Sequence, residues 1–348
     1  MKKTMTDSLK IGLSYDDVTI QDTWSTIKTR DECNIATQFT TNHRINVPII
    51  ASPMRTVCGP EMAIELAKLG AVGILHRNVP IEIQKETFVK IRRMYPGLLA
   101  CTSIGVQDSD IDKALELRPD VLMIDTAHAS SDRTLKILKI LKSDSTFKSD
   151  IIVGTVGHPI AIKILQDAGV DAIRVGIGGG SLCSTRVKTG VGIPNVTALM
   201  ECVEEAWVPV HADGGIRSPG DVAKALSIGD RTNGVTCVVL GSLLAGTKES
   251  PGPIHRRGQW PNQWLVKEYY GEASAKAQEN KDRPRIEGEY KEIMYKGKVK
   301  RIVNDICDGL RSSMSYVDAK TLNQFRENAK FIRNTHSSIK EGKPHLIY

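Results

Sequence analysis

The strongest constraint on the fold of this chain is a pattern that recurs eight times between residues 48 and 245. In each repeat, a short apolar run rich in Val, Ile and Leu leads through a polar or glycine-containing turn into an amphipathic stretch of about 8–14 residues. Such runs are typical of a parallel sheet covered by helices. Eight units predict an α/β fold, a (β/α)8 TIM barrel, with an open doubly wound sheet as the alternative. The apolar runs are Pro48–Ser52, Ala71–Leu75, Leu98–Ile104, Asp120–Asp125, Asp150–Gly154, Ala172–Gly176, Val208–Ala212 and Val235–Gly241.

Length and composition exclude several classes of protein. The 348 residues could form two domains, but one barrel often takes more than roughly 200 residues, so a single domain over 1–348 is predicted. No stretch approaches the roughly 20 apolar residues of a membrane span, and the N-terminus lacks the apolar core of a signal peptide. Seven scattered cysteines without a CxxC pair favour a reducing, cytoplasmic location. The net charge of +7 suits anionic small molecules such as nucleotides better than nucleic acid.

Two glycine-containing turns follow the seventh and eighth apolar runs. Active sites of TIM barrels lie at the C-terminal ends of the strands, and the last two loops commonly bind phosphate. Asp213-Gly214-Gly215 and Gly241-Ser242 occupy these positions and offer backbone N–H groups that no large side chain covers. Helix N-termini are expected to follow both turns and to favour an anion. The pair therefore predicts a phosphate site, although each turn alone would be read as a tight turn.

A loop of eighteen residues, Val175 to Gly192, contains six glycines and one cysteine. Its free amide and carbonyl groups could hold an anion or a monovalent cation. Cys183 lies close to Thr185 and Arg186 in this polar loop, whereas the other six cysteines fall in apolar or helical patterns. A nearby cation lowers the pKa of a thiol. Cys183 is therefore the predicted nucleophile.

The segments GIGGGSLCSTR and KTGVGIP resemble the catalytic loop, here residues 176–192, of the IMP dehydrogenase and GMP reductase family. Further matching segments include INVPIIASPMRTV, VLMIDTAHAS, VHADGGIRSPGDVAKAL and VVLGSLLAGTKESPG. The resemblance runs from LSYDDVTI near Leu13 to DGLRSSMSYVDAKTL near Leu322. It implies a TIM-barrel oxidoreductase of purine nucleotides with a mobile flap, about residues 271–297, and a C-terminal extension.

Three features of the sequence resemble the reductase branch. Only one helix fits between His76 and Leu98, where dehydrogenases usually carry a regulatory CBS-domain insertion. The stretch Gly271 to Gly297 lacks the Arg-Tyr pair that activates water in dehydrogenases, and RVKTGVG resembles the reductase loop. The resemblance thus implies NADPH-dependent reductive deamination of GMP to IMP and ammonia through a Cys183 thioimidate. A CBS-less IMP dehydrogenase, oxidising IMP to XMP with NAD, and a non-catalytic purine-nucleotide-binding protein are the alternatives.

The resemblance also implies residue roles. Thr185 is the implied proton donor beside Cys183, and Glu287 is its partner. The implied substrate-binding residues are Ser181, Asp213, Gly214, Gly215, Gly241, Ser242, Tyr269, Gly271, Glu272, Ala273, Ser274, Arg285 and Gly288. Those for the cofactor are His76, Arg77, Asp125, Thr126, Ala127 and Gly178. Carbonyl groups of Gly178, Gly180, Cys183 and Arg186 resemble a potassium site. A homotetramer is implied, without nucleic-acid or membrane partners.

Four positions depart from the family pattern. Thr155 stands where the family usually has asparagine, and Arg55 replaces an aspartate or glutamine. Glu272 replaces a methionine that would touch the base, and Gly179 replaces a frequent proline. We expect these departures to alter substrate preference while the Cys183 chemistry persists.

Overall fold

The computed structural model describes residues 9–95, 97–278 and 286–342 of the chain. In these residues the strands are β1 (Val18–Gln21), β2 (Thr37–Gln38), β3 (Arg44–Ile45), β4 (Ile49–Ala51), β5 (Val72–Leu75), β6 (Cys101–Ile104), β7 (Val121–Asp125), β8 (Asp150–Val156), β9 (Ala172–Val175), β10 (Val210–Asp213), β11 (Val235–Leu240), β12 (His255–Gln259), β13 (Asn262–Tyr270), β14 (Tyr290–Met294) and β15 (Lys330–Arg333). The helices are α1 (Pro60–Lys68), α2 (Ile81–Met94), α3 (Asp108–Leu117), α4 (Asp132–Ser143), α5 (Pro159–Asp167), α6 (Thr185–Thr189), α7 (Asn195–Val203), α8 (Pro219–Leu226), α9 (Val299–Tyr316), α10 (Leu322–Asn328) and α11 (His336–Glu341).

Strands β4 to β11 form a closed parallel barrel in the order β10-β11-β4-β5-β6-β7-β8-β9, and β9 pairs with β10 to complete it. Each predicted apolar run coincides with one of these strands, although β8 extends past its predicted run to Val156 and β10 extends past its run to Asp213. Most of their residues are buried because helices cover the outer face and side chains fill the interior. The TIM-barrel prediction is confirmed, and the alternative of an open sheet is wrong.

The N-terminal end of the barrel is plugged by the turn between β2 and β3. Phe39 lies in this turn, is fully buried and stacks on His211 of β10 with ring centroids 5.5 Å apart. His211 Nε2 donates to the Phe39 carbonyl at 2.7 Å, since a carbonyl oxygen can only accept. Inward-facing side chains such as Ile50, Ile74 and Met123 form the barrel core above this plug. The interior is thus a packed core, and the opposite end of the barrel is available for a site.

The helices surround the barrel as the sequence pattern predicts, except after the eighth strand. Pro60, Pro159 and Pro219 occupy the first position of α1, α5 and α8, where a missing N–H costs no hydrogen bond. The expected helix directly after Gly241-Ser242 is not formed; turns follow instead. The glycines and prolines of GTKESPGP, residues 246–253, explain this because both residue types interrupt helices.

The outer ring is completed by α9, which follows an inserted sheet. Strands β12, β13 and β14 form this three-stranded antiparallel sheet between β11 and α9. Helix α9 packs on α8 and α1 through a stripe that includes Val303, Ile306, Leu310 and Met314. The C-terminal extension returns to the N-terminal segment, where β15 pairs antiparallel with β1. Among the described residues, no helix combines the length and the apolar character needed to cross a membrane.

Candidate active site

A cavity of about 640 Å³ lies at the C-terminal end of the barrel, within the range of about 300–1,000 Å³ typical of ligand sites. Its walls come from the ends of β4 to β10 and from the segment after β13. We call one part the glycine side; it is lined by Gly178, Gly179, Gly180, Ser181, Asp213, Gly214 and Tyr269. We call the other part the arginine side; it is lined by Arg55, Arg77, Asn78, Gln107 and Asp110.

Cys183, Thr185 and Glu287 form a continuous hydrogen-bonded chain in the cavity wall. The Cys183 thiol donates to Thr185 Oγ1 at 3.1 Å. The Thr185 hydroxyl donates to Glu287 Oε2 at 2.8 Å. The structure therefore brings together the three residues predicted to be catalytic. Their arrangement, a thiol linked to a carboxylate through a hydroxyl, can carry a proton between the carboxylate and the neighbourhood of the sulfur.

Cys183 differs from the other cysteines in its exposure. All seven cysteines lie in described residues and have free thiols; Cys183 is exposed, and the other six are buried. Burial raises the pKa of the thiols of Cys58, Cys101 and Cys237, so these remain protonated. The exposed position of Cys183 is the one that a nucleophile needs, whereas the other six thiols are buried.

The flap reaches the catalytic loop through backbone hydrogen bonds. Ser184 N donates to Glu287 O at 2.9 Å, and Glu289 N donates to Leu182 O at 2.8 Å. These bonds form an antiparallel bridge between Cys183 and Gly288. The Glu287 carboxylate is consequently positioned beside Thr185 by main-chain contacts on both sides.

The catalytic loop is held by the Arg186 side chain. The guanidinium donates to Ile177 O at 3.0 Å from Nη2 and also to Ile193 O, near the two ends of the loop. The side chain passes so close to Gly178, which has φ +74°, that a Cβ there would lie 2.6 Å from Arg186 Cγ. Glycine is therefore required at 178 both by conformation and by this close approach.

The glycine side contains three of the predicted phosphate residues, Ser181, Gly214 and Tyr269. Ser181 Oγ lies 3.3 Å from Tyr269 Oη, and a Cβ at Gly241 would lie 3.0 Å from the same oxygen. Lys296, which the sequence reasoning missed, donates to Ser242 O and to Leu243 O. Among the described residues that line the cavity, Gly215, Gly241 and Ser242 are not included.

A buried arginine links the two ligand-facing carboxylates at the barrel mouth. Arg174 of β9 donates to Asp125 Oδ1, and its Nε lies 3.4 Å from Asp213 Oδ2. Burial disfavours the charged guanidinium, but the two carboxylates outweigh it and raise the pKa of Arg174. Burial raises the pKa of Asp213, against the effect of Arg174. Sequence reasoning missed Arg174, although a lone arginine in the apolar run AIRV was a usable signal.

The arginine side contains Arg77, and Asp125, Thr126 and Ala127 lie on the wall between the two sides. Asn78 and Gln107 line it as well and were not predicted. His76 does not appear in the described lining. Burial lowers its pKa to about 4, and its Nδ1 has no partner within the described residues. His76 therefore supplies no positive charge here at neutral pH.

Two of the family departures are partners of one another. Arg55 Nε donates to Glu272 Oε1 at 2.8 Å across the cavity wall. The other two departures are local. Thr155 Oγ1 donates to Ala127 O at 3.1 Å, and a side chain at Gly179 would collide with Asn195. Asn195 Nδ2 in turn donates to Asp213 O at 3.1 Å, so Gly179 makes room for a residue that positions Asp213.

The remaining predicted substrate residues belong to the flap. Gly288 and Ala273 line the cavity beside Gly271. Ser274 is buried and donates to Gly271 O at 2.7 Å, so its hydroxyl shapes the flap turn. Arg285 lies outside the described residues.

The fold is thus a TIM barrel with an exposed cysteine at its mouth, hydrogen-bonded through a hydroxyl to a carboxylate. The family model described as "IMP dehydrogenase / GMP reductase domain" matches residues 12–345. The chain belongs to this family of oxidoreductases, as the sequence motifs predicted.

Relatives from both branches are similar to the chain. It is 32% identical to an inosine-5′-monophosphate dehydrogenase of Cryptosporidium parvum, over 98% of this chain and 97% of that one. It is 35% identical to a GMP reductase of Clostridium acetobutylicum, over 90% and 93% of the two chains. A solved structure of a Trypanosoma brucei GMP reductase variant in complex with guanosine 5′-monophosphate superimposes with a TM-score of 0.87 at 26% identity, covering 99% of both chains.

Proposed function

We propose that this protein is an NADPH-dependent GMP reductase that converts GMP to IMP and ammonia. The relay from Cys183 through Thr185 to Glu287 carries the proposal, because a nucleophile and a proton donor must act on the same carbon and its leaving group. Similarity to GMP reductases, one of them bound to guanosine 5′-monophosphate, supports the choice of substrate.

The cavity suggests how GMP is oriented. The proposed phosphate cradle consists of Ser181, Gly214, Gly215, Gly241, Ser242 and Tyr269. Asp213 accepts the ribose hydroxyls, since a carboxylate can accept two hydrogen bonds. The base then lies against Gly271, Glu272, Ala273 and Gly288, which line the cavity, with purine C2 directed at the sulfur. Cys183 is exposed to the cavity where this carbon would lie.

The first proposed step is covalent. The Cys183 thiolate forms a bond to C2, and the bond from C2 to the amino group then breaks. The relay delivers a proton to the departing nitrogen through the Thr185 hydroxyl, so that ammonia leaves and a thioimidate remains on Cys183. Backbone hydrogen bonds between the flap and the catalytic loop hold Glu287 at this relay.

The second proposed step is reductive. NADPH, when bound, would supply a hydride to C2; the C2–S bond would then break and release the Cys183 thiolate. One GMP, one NADPH and two protons thus give one IMP, one ammonium ion and one NADP⁺. The residues proposed to hold this cofactor are Arg77, Asp125, Thr126, Ala127 and Gly178, with His76 beside Arg77 as a neutral side chain. The arginine side fits an anionic dinucleotide because the positively charged Arg77 lines the cavity there beside the polar side chains of Asn78 and Gln107.

IMP dehydrogenase is the second candidate, favoured by the similarity to dehydrogenases over 98% of this chain. That reaction must hydrolyse the covalent intermediate and therefore needs an activated water. Residues 271–297 contain no Arg-Tyr pair to activate one. This difference favours the reductase.

Turnover assays with two substrate pairs separate the candidates. GMP with NADPH is expected to consume reduced cofactor and to release ammonia and IMP, whereas IMP with NAD⁺ is expected to give no XMP. Mass spectrometry of the protein trapped with GMP should locate a nucleotide adduct on Cys183, and Cys183→Ala should abolish adduct and turnover. Binding of GMP without turnover on any nicotinamide would instead indicate a purine-nucleotide-binding protein.

Three further properties rest on family resemblance. Backbone carbonyls of Gly178, Gly180, Cys183 and Arg186 are the proposed potassium ligands, since carbonyl oxygens replace the hydration shell of this ion. Omitting potassium from the assay tests that proposal. A homotetramer, tested by light scattering, and a cytoplasmic location are proposed on the same basis.

A further inference from the structure

The pair Arg55–Glu272 joins two segments that are 217 residues apart in sequence. Arg55 follows β4, and Glu272 follows β13 at the beginning of the flap. Their side chains are 38% and 18% exposed, and both line the cavity. The two side chains form an ion pair where the family resemblance implies an aspartate or glutamine at position 55 and a methionine at position 272.

The pair is rigidly supported by neighbouring backbone contacts. Thr56 Oγ1 donates to Tyr270 O at 2.8 Å and accepts from Tyr270 N at 3.1 Å. Arg55 uses only Nε in its bond to Glu272, so within the described residues Nη1 and Nη2 make no hydrogen bond. Glu272 thus fixes the plane of a guanidinium whose two terminal donors remain free at the cavity wall.

The charges on the arginine side are unequally distributed. Three arginines line the described part of the cavity, but Arg174 is neutralised by Asp125 and Asp213. Arg55 and Arg77 remain, and Lys113 adds a third positive charge where its Nζ donates to Arg77 O. Glu272 and Asp110 are the carboxylates facing this group, so a positive excess remains.

We infer that Arg55, oriented by Glu272, binds a phosphate group of the nicotinamide dinucleotide. This inference rests on the proposed function, since it assumes that such a dinucleotide enters the arginine side. A guanidinium fork with two free terminal nitrogens matches a phosphate bidentately, and lysine cannot reproduce that geometry. The proposed GMP phosphate cradle follows β9, β10 and β11, and β11 neighbours the strand that precedes Arg55, so GMP affinity is measured beside NADPH affinity to separate the two phosphates.

Equilibrium titration of NADPH fluorescence tests the inference without turnover. Arg55→Gln is expected to weaken NADPH binding about tenfold or more, since charge-assisted hydrogen bonds are lost. Arg55→Lys should restore part of this affinity, and Glu272→Gln should cause a smaller loss because Arg55 is retained but no longer oriented. The control is Arg92→Gln, which removes a somewhat more exposed arginine that is paired with Asp120 at the other end of the barrel.

Parallel titrations with NADH identify the phosphate. An equal loss for both dinucleotides assigns Arg55 to the diphosphate, and a loss confined to NADPH assigns it to the 2′-phosphate. Unchanged NADPH binding by Arg55→Gln, or a weakened GMP affinity alone, would overturn the inference. If the wild-type protein binds neither dinucleotide, the proposed function fails first, and that result differs from equal binding by wild type and variant.

Discussion

The Thr185 hydroxyl donates to Glu287 Oε2 at 2.8 Å, although the two residues are 102 positions apart and belong to different loops. Glu287→Gln would retain a hydrogen-bond partner but could not exchange a proton as a carboxylate does. We expect kcat to fall by about 10²–10⁴ with little change in GMP affinity. Glu289→Gln is the matched control, since Glu289 is an exposed carboxylate two residues away. Similar kcat values for both variants would contradict the relay.

Arg174→Leu should destabilise the fold more than any surface arginine variant. The substitution leaves Asp125 and Asp213 without their shared partner at the barrel mouth. Removal of one member of a buried ion pair costs about 3–5 kcal/mol. Urea unfolding measures this loss, and Arg92→Leu, which removes an exposed ion pair with Asp120, should cost only about 0–1 kcal/mol. Equal losses in the two variants would show that Arg174 is not stabilised as a buried ion.

Acid should destabilise the protein through His211. Burial lowers the pKa of His211 from 6.5 to about 4 in the folded state. Between these two pH values the unfolded chain binds a proton that the folded chain does not, so stability falls as the pH falls. Within this window His211 lowers the free energy of unfolding by about 1.4 kcal/mol for each pH unit of acidification. Above pH 6.5 this destabilisation is absent because His211 is neutral in both states.

Urea unfolding of His211→Gln at several pH values checks this expectation. Glutamine can still donate to the Phe39 carbonyl but cannot take up the proton. The variant should therefore depend less steeply on pH between about 6.5 and 4. A slope equal to that of the wild type would assign the acid sensitivity to other groups.

Lys296→Met should weaken GMP binding without preventing the chemistry. The ammonium group of Lys296 donates to the carbonyls of Ser242 and Leu243, which belong to the proposed phosphate cradle. Loss of these bonds loosens the loop, and we expect KM for GMP to rise about tenfold while kcat changes less. Lys298→Met, an exposed lysine at the start of α9, is the control. A rise in KM for both variants would point to general electrostatics instead.

The eight apolar runs were sufficient to predict the barrel because each buried strand had to be apolar on both faces. The exposed position of Cys183 could also be predicted, since its polar, glycine-rich loop differs from the apolar or helical patterns around the other cysteines. Arg174 escaped prediction because its two carboxylate partners come from other strands and are far away in sequence. The ion pair between Arg55 and Glu272 was not predicted for the same reason. Each departure from the family pattern was visible in the sequence, but their contact depends on the tertiary fold, because the two residues are 217 positions apart.

The sheet of β12, β13 and β14 is inserted between the eighth strand and its helix, and this has a consequence for how the flap works. Both ends of the flap are fastened to the barrel, through Thr56 and Tyr270 at one end and through Lys296 at the other. Glu287 is therefore held near Cys183 by covalent connections on both sides, which gives its carboxylate a high effective concentration there. No diffusional encounter is needed to bring this carboxylate to the thiol.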